Sequence, residues 1–169
     1  MLKKIALLAI SAALALTLSA CGGGQAEPLE TLESPDSSGI ELAPVDRSQF
    51  DDNLDGLCKY MEENQAVIGE KVEMSYKEIG ALAGWRYLFK FDGSTVQVEF
   101  YEYDLENLDE KGQDCIHSVQ EKGFFTILGN DVPATLAGKY LMIYTDADQD
   151  EVNTAQKEKV NQFFLDFAK

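Results

Sequence analysis

Residues 85–93 decide the fold, and they read Trp85-Arg86-Tyr87-Leu88-Phe89-Lys90-Phe91-Asp92-Gly93. Aromatic residues occupy every second position, and this period of two indicates a β-strand with one apolar face. Asp92-Gly93 is a strong signal for a two-residue hairpin turn, because both positions of that turn require a positive φ. The return strand is predicted from Thr95 to Tyr103. One of its faces carries Val96, Val98 and Phe100, and the other carries Glu99, Tyr101 and Tyr103.

Helical periodicity precedes the hairpin and also follows it. A first helix is predicted to begin at the capping pair Ser48 and Asp51 and to end near Gln65. A second helix is predicted from about Leu105 to Gln120, because its apolar residues recur at helical spacing. Gly123 is a usual residue beyond a helix C-terminus.

The same order of elements recurs in the second half of the chain. Strands are predicted at 124–128 and 139–145, with a turn at 129–131, and a last helix from about 150 to 168. The predicted order is therefore α-ββα-ββα. We expect the α+β class, with helices packed on an antiparallel sheet of about four strands. The recurrence also suggests an internal ββα duplication.

Composition divides the chain into three parts. Residues 22–46 contain no Lys, Arg or aromatic residue, but hold four Gly, three Pro and six acidic residues. Such a segment buries too little apolar surface to offset the entropy lost on ordering, so residues 21–46 are predicted to be a disordered acidic tether. Residues 47–169 hold all nine Phe, all seven Tyr and the only Trp, and are predicted to form one domain.

The first part, residues 1–20, has the pattern of an export signal. Lys3 and Lys4 precede an apolar run from Ile5 to Leu18, which is too short to span a membrane comfortably. The run ends in Leu18-Ser19-Ala20-Cys21, which resembles the lipobox of bacterial lipoprotein precursors. The resemblance implies cleavage after residue 20 and attachment of a diacylglyceryl group, with acyl chains such as palmitate, to Cys21. The protein would then be anchored to the extracytoplasmic face of the cell membrane.

Parts of the folded region also carry a resemblance, to small lipoproteins of Gram-positive gut bacteria. The residues that carry it are Ile79-Gly80-Ala81, Phe91-Asp92-Gly93, Val98, Tyr103-Asp104 and Gly138 to Tyr144. Such proteins are largely without assigned function. The resemblance therefore implies a fold and a place on a Gram-positive cell, and it implies no activity.

The charge balance excludes some partners. The formal net charge is −16, and removal of residues 1–20 would change it to −18, because Lys3 and Lys4 leave with no acidic residue. Nucleic acid is not expected as a partner, since phosphate binding requires clustered Lys and Arg. The same charge repels the domain from anionic lipid, so the lipid on Cys21 alone is expected to attach it to the membrane.

Two cysteines and one histidine are candidates for chemistry. Once Cys21 is lipidated, Cys58 and Cys115 are the remaining thiols, and an even pair outside the cytoplasm indicates a disulfide. The alternative is two buried free thiols that act as small apolar side chains. His117 is the only histidine, and no further metal ligands or nucleophile are evident near it in the sequence.

Asp146, Asp148 and Asp150 resemble the opening of an EF-hand calcium loop. The sixth position, however, is Glu151 and the twelfth is Lys157, where calcium loops need glycine and a bidentate glutamate. The preferred interpretation is that these acids solubilise the turn and cap the last helix. No metal and no cofactor are predicted.

Tyrosines supply the predicted ligand surface. If helices cover one sheet face, the other exposes Tyr101, Tyr103, Tyr140 and Tyr144, a natural platform for a peptide, a glycan or an envelope protein. The alternative is that the first helix covers these tyrosines. The chain is thus predicted to be a lipid-anchored, non-catalytic binding module. The other hypotheses are an accessory subunit of a cell-envelope complex and a small hydrolase or redox enzyme.

Overall fold

The central hairpin forms as its sequence pattern predicts. In the computed structural model, which describes residues 28–33 and 45–169, two nine-residue strands pair in antiparallel register from Ala83↔Glu102 to Phe91↔Ser94. Asp92 and Gly93 have φ values of 43° and 81°. These positive values are those of the tight turn that matches the natural twist of two strands.

Eleven helices and strands are formed by the described residues. In chain order they are β1 (Thr31–Leu32), α1 (Leu54–Glu63), β2 (Val72–Glu73), β3 (Ala83–Phe91), β4 (Ser94–Glu102), α2 (Glu110–Lys122), β5 (Phe124–Ile127), β6 (Asn130–Pro133), β7 (Thr135–Ala137), β8 (Tyr140–Asp146) and α3 (Glu151–Phe167). Two 3-10 turns, Arg47–Gln49 and Tyr76–Ile79, lie between them. The α+β class is confirmed.

The main sheet has the strand order β1-β3-β4-β8-β7, with β2 paired to another part of β3. Its neighbours are antiparallel except for β1, which pairs in parallel with β3. The second half of the chain does not repeat the first, because it forms two short hairpins, β5–β6 and β7–β8. Only the second of these joins the main sheet, so the predicted order α-ββα-ββα and the duplication are not confirmed.

Two predicted helix starts are wrong, because side chains closer to the helices cap them. Asn53 caps α1 by accepting a hydrogen bond from the Gly56 amide at 2.8 Å. Asp109 caps α2 by accepting one from the Gly112 amide, also at 2.8 Å. The side-chain oxygen of a capping residue accepts a hydrogen bond from a backbone N–H of the first turn, which has no partner within the helix.

One short piece of the predicted tether is part of the sheet. Thr31 and Leu32 pair with Lys90 and Phe91, and Leu32 is buried in the core. The prediction of a wholly disordered segment is therefore wrong at β1, where Leu32 is buried in the core. The other residues of segment 21–46, apart from 28–33 and 45–46, lie outside the described residues, and so do Cys21 and the predicted export signal.

The sheet separates two hydrophobic clusters. We call the face covered by α1 and α3 the first face, and its core includes Tyr87, Phe89, Phe100, Phe164 and Phe167. The opposite face, the second face, is partly covered by α2 and the β5–β6 hairpin. Its buried residues include Tyr101, Tyr103, Leu141, Ile143 and Cys115. None of the helices in the described part of the chain has the length and apolarity that crossing a membrane requires.

Candidate functional site

The four tyrosines of the predicted ligand surface do not share an exposed face. Tyr101 and Tyr103 are buried on the second face, whereas Tyr140 and Tyr144 belong to the cluster on the first face. Only Tyr144 is more than 5% exposed. The register of β4 and β8 pairs Tyr140 with Glu102 and Tyr144 with Val98, on the face opposite to Tyr101. The prediction of one exposed tyrosine platform is therefore wrong.

Three of these tyrosines donate hydrogen bonds inside the domain. The Tyr103 hydroxyl donates to Cys115 Sγ at 3.2 Å, and the Tyr101 hydroxyl donates to Glu99 Oε2 at 2.6 Å. The Tyr140 hydroxyl donates to Asp52 Oδ1 at 2.9 Å. Burial raises the pKa of each of these phenols. They are therefore protonated donors that hold the structure together.

Cys58 and Cys115 are free thiols, so the possible disulfide between them is not formed. Cys58 is on α1 in the cluster of the first face, and Cys115 is on α2 in that of the second. The sheet lies between them, whereas a disulfide needs Cα atoms within about 7 Å. Burial raises the pKa of Cys58 to about 12 and also raises the pKa of Cys115. Both thiols are protonated at neutral pH, which favours the alternative of two buried apolar side chains.

The histidine and the acidic turn have local partners. His117 is exposed on α2, and its Nε2 lies 3.4 Å from Glu121 Oε2. In the turn before α3, Asp146 Oδ1 accepts from the Asp148 amide at 3.0 Å, and Asp150 Oδ1 accepts from the Asn153 amide at 2.8 Å. The interpretation of Asp150 as a helix cap is confirmed. No group of metal-ligating side chains is arranged to hold an ion within residues 28–33 and 45–169.

A cleft of about 320 Å³ opens beside α2 on the side of the second face. It lies between the 3-10 turn Tyr76–Ile79, α2 and β5. The cleft is lined by Glu78, Ile79, Lys111, Asp114, Cys115, Ser118, Phe125, Thr126 and Ile127. Of these residues, only Cys115 is a candidate for chemistry on the sequence alone, and Ile79 belongs to the stretch that resembles small lipoproteins.

Two glycines set one wall of the cleft. Gly80 ends the 3-10 turn with a φ of 70°, and a Cβ atom there would lie 2.2 Å from the Gly112 nitrogen. The turn therefore packs backbone to backbone against the first turn of α2. At the same wall, Lys111 Nζ lies 3.5 Å from Glu78 Oε2 and 3.4 Å from the Lys77 carbonyl oxygen. These contacts place Lys111 and Glu78 side by side in the lining.

Apart from Lys111, the polar side chains of the cleft present acceptor oxygens to a ligand. The Ser118 hydroxyl donates its proton to the Phe124 carbonyl oxygen at 2.8 Å, and the Thr126 hydroxyl donates to Asp131 Oδ1 at 2.6 Å. Each hydroxyl oxygen therefore keeps only lone pairs for a ligand. Asp114 is exposed and takes part in none of the ion pairs formed within the described ranges.

A second surface is the uncovered half of the second sheet face. It is formed by Arg86, Leu88, Gln97 and Glu99 on the central hairpin. Glu99 is buried and accepts from Gln97 Nε2 at 2.7 Å, whereas Arg86 Nε is buried with no hydrogen-bond partner among the described residues. The period of two on β3 places Arg86 and Leu88 opposite the aromatic face. That signal in the sequence could have identified this surface.

The lining of the cleft comes from segments that are distant in sequence, 78–79, 111–118 and 125–127. A sequence pattern reports the face of one element, and it does not report which elements meet at one place. Glu78, Asp114 and Ser118 were missed for this reason.

Comparisons of the chain with protein-family models, with curated proteins and with solved structures found no match.

Proposed function

We propose that this chain is a lipid-anchored extracytoplasmic protein whose α+β domain binds a partner without catalysis. The observation that carries the anchor is the stretch Leu18-Ser19-Ala20-Cys21 at the end of a charged and then apolar export pattern. A diacylglyceryl group supplies two acyl chains, enough for stable attachment, whereas one chain binds a membrane only marginally.

Charge supports the same proposal. Without residues 1–20 the formal net charge is −18, and an anionic membrane surface repels such a domain. The lipid on Cys21 is then the only attachment to the membrane. A domain held in this way can meet soluble or wall-bound partners.

The chemistry of the cleft supports binding rather than catalysis. The soft nucleophile of the cleft is Cys115. Burial raises the pKa of its thiol, and this effect outweighs the opposing effect of the hydrogen bond donated by Tyr103, so the reactive thiolate is disfavoured. The Ser118 proton is donated to a backbone carbonyl rather than to a base. A nucleophile without an adjacent base is not activated.

The anchor is tested by metabolic labelling with palmitate and by membrane fractionation. We expect Cys21→Ser to lose the label and to shift the protein from the membrane fraction to the soluble fraction. Ser19→Ala is the matched control, since the lipobox pattern accepts Ala at that position, and it should keep both properties. Palmitate incorporation that persists in Cys21→Ser would refute the anchor.

The uncovered half of the second face favours a second candidate, an accessory subunit of an envelope complex. Val72, the cross-strand partner of Arg86, is 50% exposed, and Leu88, two residues further along β3, is 36% exposed. An apolar surface around a charged residue is a usual composition for a protein contact. Purification from solubilised membranes should recover a partner with the natural chain and lose it with Leu88→Asp. Recovery of the same partner with both chains would exclude this face.

A further inference from the structure

The cleft beside α2 has an excess of negative charge close to its mouth. Among the described residues that line it, Lys111 is the only cation, and its ammonium group lies between Glu78 and the Lys77 carbonyl oxygen. Asp114 lies three residues after Lys111 on α2 and forms no ion pair within the described ranges. The Asp114 carboxylate and the acceptor oxygens of Ser118 and Thr126 favour a ligand that donates hydrogen bonds and carries positive charge.

The rest of the lining is apolar. Ile79 is 7% exposed, Phe125 is 5% exposed, and Ile127 extends the same surface along β5. A volume of about 320 Å³ is near the lower end of the range for ligand pockets, roughly 300–1,000 Å³. That is room for a small ligand, and a long side chain with part of its flanking backbone fits within it. Lysine and arginine have an apolar stem and a charged end, which match this floor and this rim.

We propose that the cleft binds a lysine or arginine side chain from a basic extracytoplasmic peptide segment. The stem lies on Ile79, Phe125 and Ile127, and the charged end donates hydrogen bonds to Asp114. The net charge of −18 without the export signal attracts such a segment. Leu128, next to Ile127 in the chain, is 96% exposed and offers an apolar contact to the residue beside the cation. This inference rests on the proposed binding function and not on the anchor.

Titration calorimetry of the lipidated chain in neutral detergent micelles tests the proposal. The probe is the peptide acetyl-Leu-Lys-Leu-amide, and acetyl-Leu-Gln-Leu-amide is its uncharged match. We expect the lysine peptide to bind about tenfold more tightly, or about 1.4 kcal/mol, because only its ammonium group forms a charge-assisted hydrogen bond with Asp114. Equal affinities, or no binding of the lysine peptide, would overturn the proposal. If hexylammonium bound as tightly as the lysine peptide, the cleft would recognise a simple amine, and the proposal of a peptide ligand would be wrong.

A pair of variants on one helix locates the cation. Asp114→Asn should weaken the lysine peptide about tenfold. Glu121→Gln makes the same charge change on an exposed residue of α2 that does not line the cleft, and it should change the Kd less than twofold. Equal losses in the two variants would indicate only the general field of an acidic domain, and would count against the site.

Alkylation of the thiols gives a readout that needs no variant. Cys115 lines the cleft and is 5% exposed, whereas Cys58 is fully buried and serves as the internal reference. Saturating lysine peptide should slow modification of Cys115 by iodoacetamide, measured by mass spectrometry, and leave Cys58 unchanged. An unchanged Cys115 rate would place the peptide elsewhere. Palmitate labelling is independent of the cleft, so failure of the anchor and failure of the site can be told apart.

Discussion

Gly80 and Gly112 show how two residues without side chains shape the cleft. Gly80 has a φ of 70°, in the region that L side chains rarely adopt, and its Cα faces the backbone of α2. The Asp109 carboxylate that caps α2 lies in the same contact, 2.3 Å from where a Cβ on Gly80 would be. No larger residue fits at Gly80 without moving the 3-10 turn away from the helix.

Gly80→Ala is expected to lower the free energy of unfolding by roughly 2–4 kcal/mol, from backbone strain and a steric overlap. Gly93→Ala is the control, because Gly93 also has a positive φ of 81° but nothing lies within 4 Å of its added Cβ. That variant should lose only about 1 kcal/mol. Urea unfolding of both variants measures the difference, and equal losses would show that the close contact with α2 does not matter.

At the scale of elements, the β5–β6 hairpin contains a residue that its turn does not favour. Leu128 and Gly129 form the turn with φ values of 50° and 81°. Asparagine, aspartate and glycine are the usual residues at the first of these positions, since leucine pays a steric cost there. Because Leu128 is 96% exposed, burial does not compensate for this cost.

Leu128→Asn is therefore expected to raise the free energy of unfolding by about 0.5–1 kcal/mol. Leu105→Asn is the control, since Leu105 is also exposed, at 51%, but has no positive φ, and its effect should stay within about 0.5 kcal/mol. Thermal or urea unfolding decides the matter. A destabilised Leu128→Asn would mean that the leucine has a packing role in the domain.

Helix boundaries show where element-scale prediction succeeds and where it fails. The end of α2 was predicted from Gly123, which does have the left-handed conformation of a C-terminal cap, with a φ of 75°. The starts of α1 and α2 were placed too early. The sequence around Ser48, Asp51 and Leu105 is also compatible with a first helical turn. Which polar residue becomes the cap depends on which side chain reaches the free backbone N–H groups of the packed helix.

At the scale of the whole molecule, the buried ionisable groups make stability depend on alkaline pH. Burial raises the pKa of Cys58 to about 12, and it also raises those of Tyr87, Tyr101 and Tyr103. These groups are neutral in the folded state. At a pH below the pKa of these groups in the unfolded chain, they are neutral in both states and do not change the free energy of unfolding. As the pH rises above that pKa, they ionise in the unfolded chain but stay neutral in the folded protein. Stability is therefore complete near neutral pH and falls as the solution becomes alkaline.

The free energy of unfolding, measured in urea, is expected to fall by several kcal/mol between pH 8 and pH 10.5. Cys58 alone accounts for about 2 kcal/mol of this loss. The variant Cys58→Ala should therefore show a pH dependence that is smaller by about that amount. If Cys58→Ala and the natural chain lost stability in parallel, the thiol would not be held neutral by burial.

The sequence by itself determined the central hairpin and the α+β class, and it carries the charged and apolar pattern from which export and an anchor at Cys21 are predicted. Each of these depends on residues that are neighbours in the sequence. The patterns are the period of two in β3, the turn residues Asp92 and Gly93, and the charged and then apolar run near the start of the sequence. Such patterns depend on local geometry, so they can be recognised without knowledge of what packs against them.

Only the tertiary structure decided which faces are covered and which residues meet. The register of β8 on β4 divided the four tyrosines between two faces, and the sheet between α1 and α2 separated Cys58 from Cys115. The cleft joined three distant segments at one wall of α2. Strand pairing and helix placement are set by the burial of apolar surface across the whole chain, which no single stretch of sequence contains.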